Sequence, residues 1–317
     1  MIGLHSAEYV LGKKISNVEQ WCKEQEIPFD ILFKLKESGA RIWWKSEPSQ
    51  LLVQAHSAGL LALQNSDVGP SEINALIYCH TSQCSVLPLP VSTAGRLANL
   101  LSVKNAYVFS LSQQNCVSPI HAIQALDKLF SVNPRWKKAL IITSDIILTE
   151  RLRAIGVSGF HSDGASALLI GRAEECGNRI LGVETFNDSK AIEGISSEGM
   201  YEQNDRYLWA CLQLIRRLLK KTNSKIEELV SLLPQNTSIE AWQKIAMMLG
   251  IPGTCLFTEN IGRVGHVFGS DGAVNLKDSG AILRQGRHLV FMSGIAGCFG
   301  SFLFEVDSLN SKKRVLL

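Results

Sequence analysis

Short apolar runs separated by stretches of helical period set the rhythm of this chain. Ala75–Cys79, Ala106–Leu111, Ala139–Thr143 and Ala165–Ile170 are runs of five or six residues, rich in branched and aromatic side chains. Such runs predict strands buried on both faces. Between them, Ser92–Leu101 and Pro119–Phe130 space their apolar residues as helices do. The order is β-α-β-α-β, which predicts a parallel sheet with helices packed on it. The turn His161–Gly164 leads into the last of these strands.

The rhythm then repeats. Arg179–Thr185 reads as a strand, Tyr201–Lys221 as a long amphipathic helix, Leu229–Leu233 as a strand and Ser238–Leu249 as a helix. Cys255–Thr258 is short and extended, and Val274–Leu283 has helical spacing. His288–Met292 and Ser301–Val306 are the last strands, before a polar, basic tail over Ser308–Leu317 that is expected to fray. Two halves of one rhythm, 1–173 and 174–317, point to an internal structural duplication without a residue-level repeat.

Composition narrows the classes. The 317 residues are 46% hydrophobic and 19% charged, with a formal net charge of +3. That supplies a large core and a surface sparing in charge, as expected of a chain that hides surface, for example in a dimer interface. The positive excess is too small to argue for nucleic acid. No uncharged apolar run reaches the roughly 20 residues of a membrane helix, and the first residues lack a signal-peptide pattern. The eight cysteines are scattered without a framework spacing. They read as reduced thiols in a cytoplasmic protein. Cys79, His80 and Cys84 lie close in sequence but lack further ligands at a metal-site spacing, so no metal is expected.

Cys116 stands out by position. It follows the strand Ala106–Leu111 and precedes the helix that begins near Pro119. A thiol at a helix start loses its proton more readily, and the thiolate is the reactive form. The polar residues Gln113, Gln114 and Asn115 at the end of an apolar strand suit a pocket. On position alone an inert buried cysteine competes evenly with a nucleophile.

Six segments in order resemble the ketoacyl-acyl-carrier-protein synthase III family of the thiolase superfamily. They are Ser38–Trp44 with Leu51–Leu63, Ser112–Ser118 with Ala122–Leu126, Ser162–Leu169, Leu233–Ser238, Asn260–His266 and Ser293–Ser301. Each is weak alone; their order along nearly the whole chain is specific. The resemblance implies a five-layer α-β-α-β-α fold of two fused similar halves and a homodimer. It implies acyl groups delivered on coenzyme A or the phosphopantetheine of an acyl carrier protein, with no tightly bound cofactor.

This chain departs from that family's pattern. Typical members pair the cysteine with a histidine and an asparagine that stabilise the enolate left by decarboxylation. Here Gln235 stands at the histidine position and Arg263 at the second asparagine position. Glutamine can donate a hydrogen bond but cannot shuttle a proton. The segment Gly262–Asp271 is similar instead to a divergent acyltransferase branch, acting in natural-product pathways, whose triad is Cys, His and an Asp five residues after the His. His266 and Asp271 have that spacing, although a glycine-flanked His and an Asp-Gly pair can equally be turn residues. The resemblance makes Cys116 the nucleophile, His266 the base, Asp271 its orienting group and the backbone at Cys116 and Ile295 the oxyanion hole. Gln235 and Asn236 are expected to line the pocket. Arg151 and Arg153 are expected near the phosphopantetheine mouth. Trp43 could line the entrance, with plain packing as the competing reading. His5, His56, His80 and His288 show no partner pattern and read as structural, as does His161 in the Ser-Asp-Gly turn; His121, one turn into the helix after Cys116, could face the pocket, with surface or dimer contact as the competing reading.

Three functions follow from these residues. One is acyl transfer through Cys116 to a hydroxyl, amine or carbon acceptor in secondary metabolism. The second is decarboxylative condensation with a malonyl thioester. The third is a non-catalytic subunit that partners an active homologue.

Overall fold

Strands with no polar face form the middle of the molecule. The computed structural model describes residues 1–188, 205–294 and 297–307. The chain opens with β1 (Ile2–Leu11), then a small cap made of β2 (Lys14–Asn17), α1 (Val18–Glu24), α2 (Phe29–Glu37) and β3 (Ile42–Lys45). Next come α3 (Leu51–Gln64), β4 (Ile73–Cys79), α4 (Thr93–Leu100), β5 (Tyr107–Leu111), α5 (Ser118–Val132), β6 (Lys138–Asp145), β7 (Gly164–Arg172) and the single turn α6 (Ala173–Cys176). The second part holds β8 (Asn178–Asn187), α7 (Asp205–Lys221), β9 (Leu229–Leu233), α8 (Ile239–Leu249), α9 (Glu259–Arg263), α10 (Asp271–Asp278), β10 (Gly286–Gly294) and β11 (Cys298–Val306). Side-chain caps fix several helix starts. The Ser92 hydroxyl accepts the Gly95 N–H at 3.0 Å and Ser238 accepts that of Ala241 at 3.2 Å; each such cap contributes about 1 kcal/mol.

The strand order is β5-β4-β6-β7-β1 followed by β8-β11-β10-β9. The two sets touch through one pair, Gly3 with Arg179. Both sets follow one plan. The run β1-α3-β4-α4-β5-α5-β6-β7 is matched by β8-α7-β9-α8, an isolated parallel bridge of Leu256 to Leu232, then α10-β10-β11. This is the thiolase-type arrangement of two fused similar halves in five layers.

Three cores glue the layers. Helices α3 and α4 cover one sheet through Ala58, Ala62, Leu97 and Leu101 against Leu76, Leu140 and Leu169. Helices α7 and α8 cover the other through Ile215, Leu218, Trp242 and Ile245 against Leu289, Phe291 and Leu303. Between the sheets lie α5 and α10, whose Ile120, Ile123, Leu126 and Leu276 meet Ile2, Leu4, Phe302 and Phe304. A helix enclosed on both sides has little polar surface, and α5 begins at that buried centre.

The sheet is mixed, not parallel. β4 pairs in parallel with β5 and β6, but β7 runs antiparallel to β6, and β1 to β7. The link from β6 to β7 holds no crossover helix, only the short turn Glu150–Leu152, so the chain returns beside itself in the opposite sense. Helix α10 starts at Asp271, ahead of the predicted Val274, and ends where Gly280 turns left-handed at φ 65°. The tail from 308 lies outside the described residues. Among the described residues no helix is long and apolar enough to cross a membrane.

Candidate active site

Cys116 sits in the turn Asn115–Val117 between β5 and α5, 4% exposed. The approach to it is tight. Gln113 and Asn115 both adopt left-handed backbone angles, φ 70° and 50°. Each costs about 1–2 kcal/mol for a residue with a side chain, and together they deliver the sulfur to the first turn of α5. There the unpaired helix N–H groups favour negative charge.

The second half supplies the imidazole. His266 follows Gly265, whose φ is 77° and whose added Cβ would stand 2.9 Å from Ser162 Oγ and 3.0 Å from Phe160 O. Only glycine fits so close to that turn. The His266 N–H then donates to Phe160 O, and its carbonyl accepts the Ser162 N–H, both at 2.8 Å. So anchored, His266 Nε2 stands 3.4 Å from Cys116 Sγ. On the far side of the ring, Nδ1 lies 2.5 Å from Asp271 Oδ2. Asp271 is fully buried at the start of α10 and accepts two further N–H groups, from Val267 and Asn236, each at 2.6 Å. Burial alone would lower the basicity of His266. The charges and hydrogen bonds of Asp271 and Cys116 outweigh it and push the pKa up to about 10.

A cavity of about 490 Å³ opens over the sulfur. Its volume is in the range of small-molecule sites. Its wall includes Thr81, Asn115, Gln235, Thr237, His266 and Gly294. The Thr81 hydroxyl reaches Cys116 Sγ at 3.7 Å. Gly294 passes so near the Cys116 turn that an added Cβ would lie 2.7 Å from Asn115 Cβ and 3.3 Å from the Cys116 nitrogen. Gln235 is held rigidly: its Oε1 accepts the Ser293 N–H at 2.5 Å and the Ser293 hydroxyl at 2.9 Å.

The structure therefore gathers Cys116, His266, Asp271 and Gln235 at one place, with Arg151 on the cavity rim. Other expectations need correction. Arg153 is fully buried and forms a two-pronged ion pair with Asp163 at 2.6 and 2.8 Å, its guanidinium 4.6 Å over the Trp43 ring. Buried and paired in this way, it cannot meet a phosphate. Trp43, 3% exposed, packs in the cap core beside Trp21 and Phe160 and does not line the entrance. Asn236 turns from the cavity: its Oδ1 accepts from Asn275 beneath Asp271. Arg263 bonds Asp278 and Asn260 and leaves the sulfur to His266. Ile295 lies outside the described residues. The sequence reading also missed Thr81 and His161. Thr81 follows the C-terminal end of a parallel strand, where α/β sites gather, and that signal could have found it. His161 carries no such mark.

With this geometry in view, likeness to known proteins is informative. No family model matches the chain. It is 25% identical over 273 residues to beta-ketoacyl-[acyl-carrier-protein] synthase III of Clostridium perfringens, covering 78% of this chain and 81% of that protein. The 3-oxoacyl-[acyl-carrier-protein] synthase III of Aquifex aeolicus superposes with a TM-score of 0.81 at 18% identity, over 96% of this chain and 100% of that one. The acyltransferase ChlB3 superposes with a TM-score of 0.80 at 16% identity, over 96% and 97% of the two chains. The structural likeness establishes the thiolase-type fold. The curated relatives are transferases; this chain is an enzyme that resembles them, and the likeness supports acyl transfer or condensation in general.

Proposed function

We propose that the protein moves an acyl group from an acyl-coenzyme A or acyl-carrier-protein thioester to Cys116, and from there to a hydroxyl, amine or carbon acceptor in secondary metabolism. The half 1–173 would carry the nucleophile and the half 174–317 the base. What supports the reading is the continuous contact from Cys116 through His266 to Asp271 on the wall of a cavity.

The steps follow from that contact. The sulfur of Cys116 attacks the thioester carbonyl carbon while His266 holds the thiol proton. The carrier's thiolate leaves and takes that proton. The acceptor then attacks the acyl carbon, its proton passes to His266, and the sulfur departs and recovers the proton. Asp271 fixes the ring's orientation. The Cys116 N–H, with a backbone N–H at Ile295 proposed by resemblance, would bind the oxyanion. Losing one such donor typically costs about 2.7–4 kcal/mol of barrier. A homodimer belongs to the proposal, because β5 is a sheet edge with Tyr107 56% exposed.

Condensation with a malonyl thioester is the second reading, favoured by the names of the curated relatives. Gln235 weighs against it, since its carbonyl is already committed to Ser293 and its amide is uncharged. Intact-protein mass spectrometry against a panel of acyl donors tests the proposal. The expected result is one acyl adduct on Cys116, absent from Cys116→Ala. Release of carbon dioxide from malonyl carrier would favour condensation. A chain that never acylates alone would favour the partner-subunit reading.

A further inference from the structure

The cavity wall holds a second imidazole that these steps leave unused. His161 lies in the link before β7 and forms part of that wall. Its ring stacks on Phe268 with centroids 4.3 Å apart and planes 9° apart, and its centroid is 5.3 Å from that of His266. Its N–H donates to Arg153 O at 2.7 Å, and the next residue pairs with the His266 backbone. These backbone bonds pin the link, and the stacking on Phe268 holds the ring.

Its tautomer follows from one contact. Nδ1 stands 2.9 Å from the Leu152 carbonyl oxygen. A carbonyl only accepts, so Nδ1 carries the proton and Nε2 of the neutral ring keeps a lone pair. Nε2 has no hydrogen-bond partner among the described residues. Burial, then the charges of His266 and Arg153, lower the His161 pKa to about 3, although the Leu152 hydrogen bond opposes them. The ring is a fixed acceptor at neutral pH and a poor base.

We propose that His161 Nε2 accepts a hydrogen bond from the acyl acceptor, and that the acceptor is a neutral molecule with two polar hydrogens at its reacting end. A primary amine qualifies, as does a hydroxyl beside a second hydroxyl or amino group. This rests on the acyl-transfer reading above. One hydrogen binds His161 and stays on the acceptor. The nucleophilic nitrogen or oxygen forms its bond to the acyl carbon and gives its other proton to His266. The carbon–sulfur bond breaks, and Cys116 regains the proton from His266. A malonyl carboxylate at the same place would meet a lone pair where it needs a donor.

The test separates this inference from the reading beneath it. Cys116 is loaded with butyryl-coenzyme A, and the acyl-enzyme is chased with 2-aminoethanol, ethane-1,2-diol or ethanol in mildly alkaline buffer, where part of the amine is unprotonated. Wild type should transfer to one or both two-donor acceptors faster than to ethanol, and which of the two wins separates the amine from the diol. His161→Phe keeps the stacking on Phe268 and should acylate Cys116 within about twofold of wild type. Its transfer to the preferred acceptor should fall about tenfold, the size of one lost hydrogen bond. His161→Gln, which restores an acceptor oxygen, should recover part of that loss. Unchanged transfer in His161→Phe overturns the inference, and so does an equal loss in both steps. If wild type never acylates, the acyl-transfer reading fails, and the imidazole is judged alone by ¹⁵N-histidine spectra of the resting protein titrated with 2-aminoethanol. Movement of the His161 Nε2 resonance supports the contact, and a static resonance overturns it. The spectra serve equally if His161→Phe does not fold.

Discussion

Asp271 Oδ2 lies 2.5 Å from His266 Nδ1 and 2.6 Å from the Asn236 N–H, while Oδ1 takes the Val267 N–H at 2.6 Å. A buried carboxylate with three donors keeps its direction. The ring it holds cannot rotate without breaking that network, so the other ring nitrogen stays on the sulfur. Asp271→Asn keeps the size and loses the charge. It should slow Cys116 acylation by up to about 10⁴-fold, the loss seen on removing the orienting carboxylate in a hydrolase triad. Time-resolved intact mass measures it directly. A variant that acylates at the wild-type rate would remove Asp271 from the mechanism.

The same pair has a signature in stability. Asp271 and Cys116, acting against burial, raise the His266 pKa from 6.5 to about 10. The folded state therefore holds this proton more tightly than the unfolded chain. Its stabilising contribution is full below about pH 6.5 and is lost as the pH rises through about 10. Denaturant midpoints of wild type should decline across that window, and those of His266→Gln should decline less. Parallel curves would show that the imidazole carries no extra proton affinity.

Two arginines, two residues apart, should behave oppositely. Arg153 is wholly buried on Asp163 and stacked over Trp43, whereas Arg151 is exposed on the cavity rim. Arg153→Ala strands a buried carboxylate and should cost about 3–5 kcal/mol of folding stability. Arg151→Ala should leave the melting temperature within about 2 °C, as surface substitutions do, while raising the KM for the acyl donor severalfold. Chemical denaturation and donor titration read the two effects. Loss of donor affinity without loss of stability in Arg153→Ala would contradict the buried pair.

Local pattern made the repeated strands and helices readable, because β4, β6, β7 and β9 are apolar on both faces and stand out as runs. β1 did not, since Gly3, His5, Ser6 and Glu8 break its apolar pattern at the middle of the sheet. Strand sense was unreadable too, because it depends on whether a crossover helix fills the link from β6 to β7. Cys116, His266 and Asp271 carried marks in the chain, namely a strand-to-helix junction and a fixed spacing. Arg153 and His161 carried none. What each does is decided by residues that fold onto it: Asp163 and Trp43 for the first, Phe268 and the Leu152 carbonyl for the second.

Asp145 closes β6 and is fully buried. Its Oδ1 accepts the Thr81 N–H at 2.9 Å, the Ser82 N–H at 2.8 Å and the Ser85 hydroxyl at 2.9 Å. It thereby shapes the loop from which Thr81 reaches the sulfur. Desolvation raises its pKa from 3.8 to about 7, against the pull of those donors and of His266. A carboxyl that binds its proton more tightly when folded contributes fully below about pH 3.8 and loses that contribution as the pH rises through about 7. At about 1.36 kcal/mol per pH unit, the interval caps the effect at about 4 kcal/mol. Asp145→Asn can keep its oxygen where Oδ1 now takes all three donors, so the loop should hold and the titration should vanish. Between pH 4 and 7 the wild-type denaturant midpoint should therefore fall relative to that of Asp145→Asn, while the rate of Cys116 acylation in the variant stays within about threefold of wild type, since the loop forfeits only the longer, 3.1 Å branch of the Thr81 N–H to Oδ2. Midpoints that run parallel through the window would mean that this carboxyl titrates as it does in the unfolded chain, and a collapse of acylation would mean that its charge, not its shape, serves the sulfur.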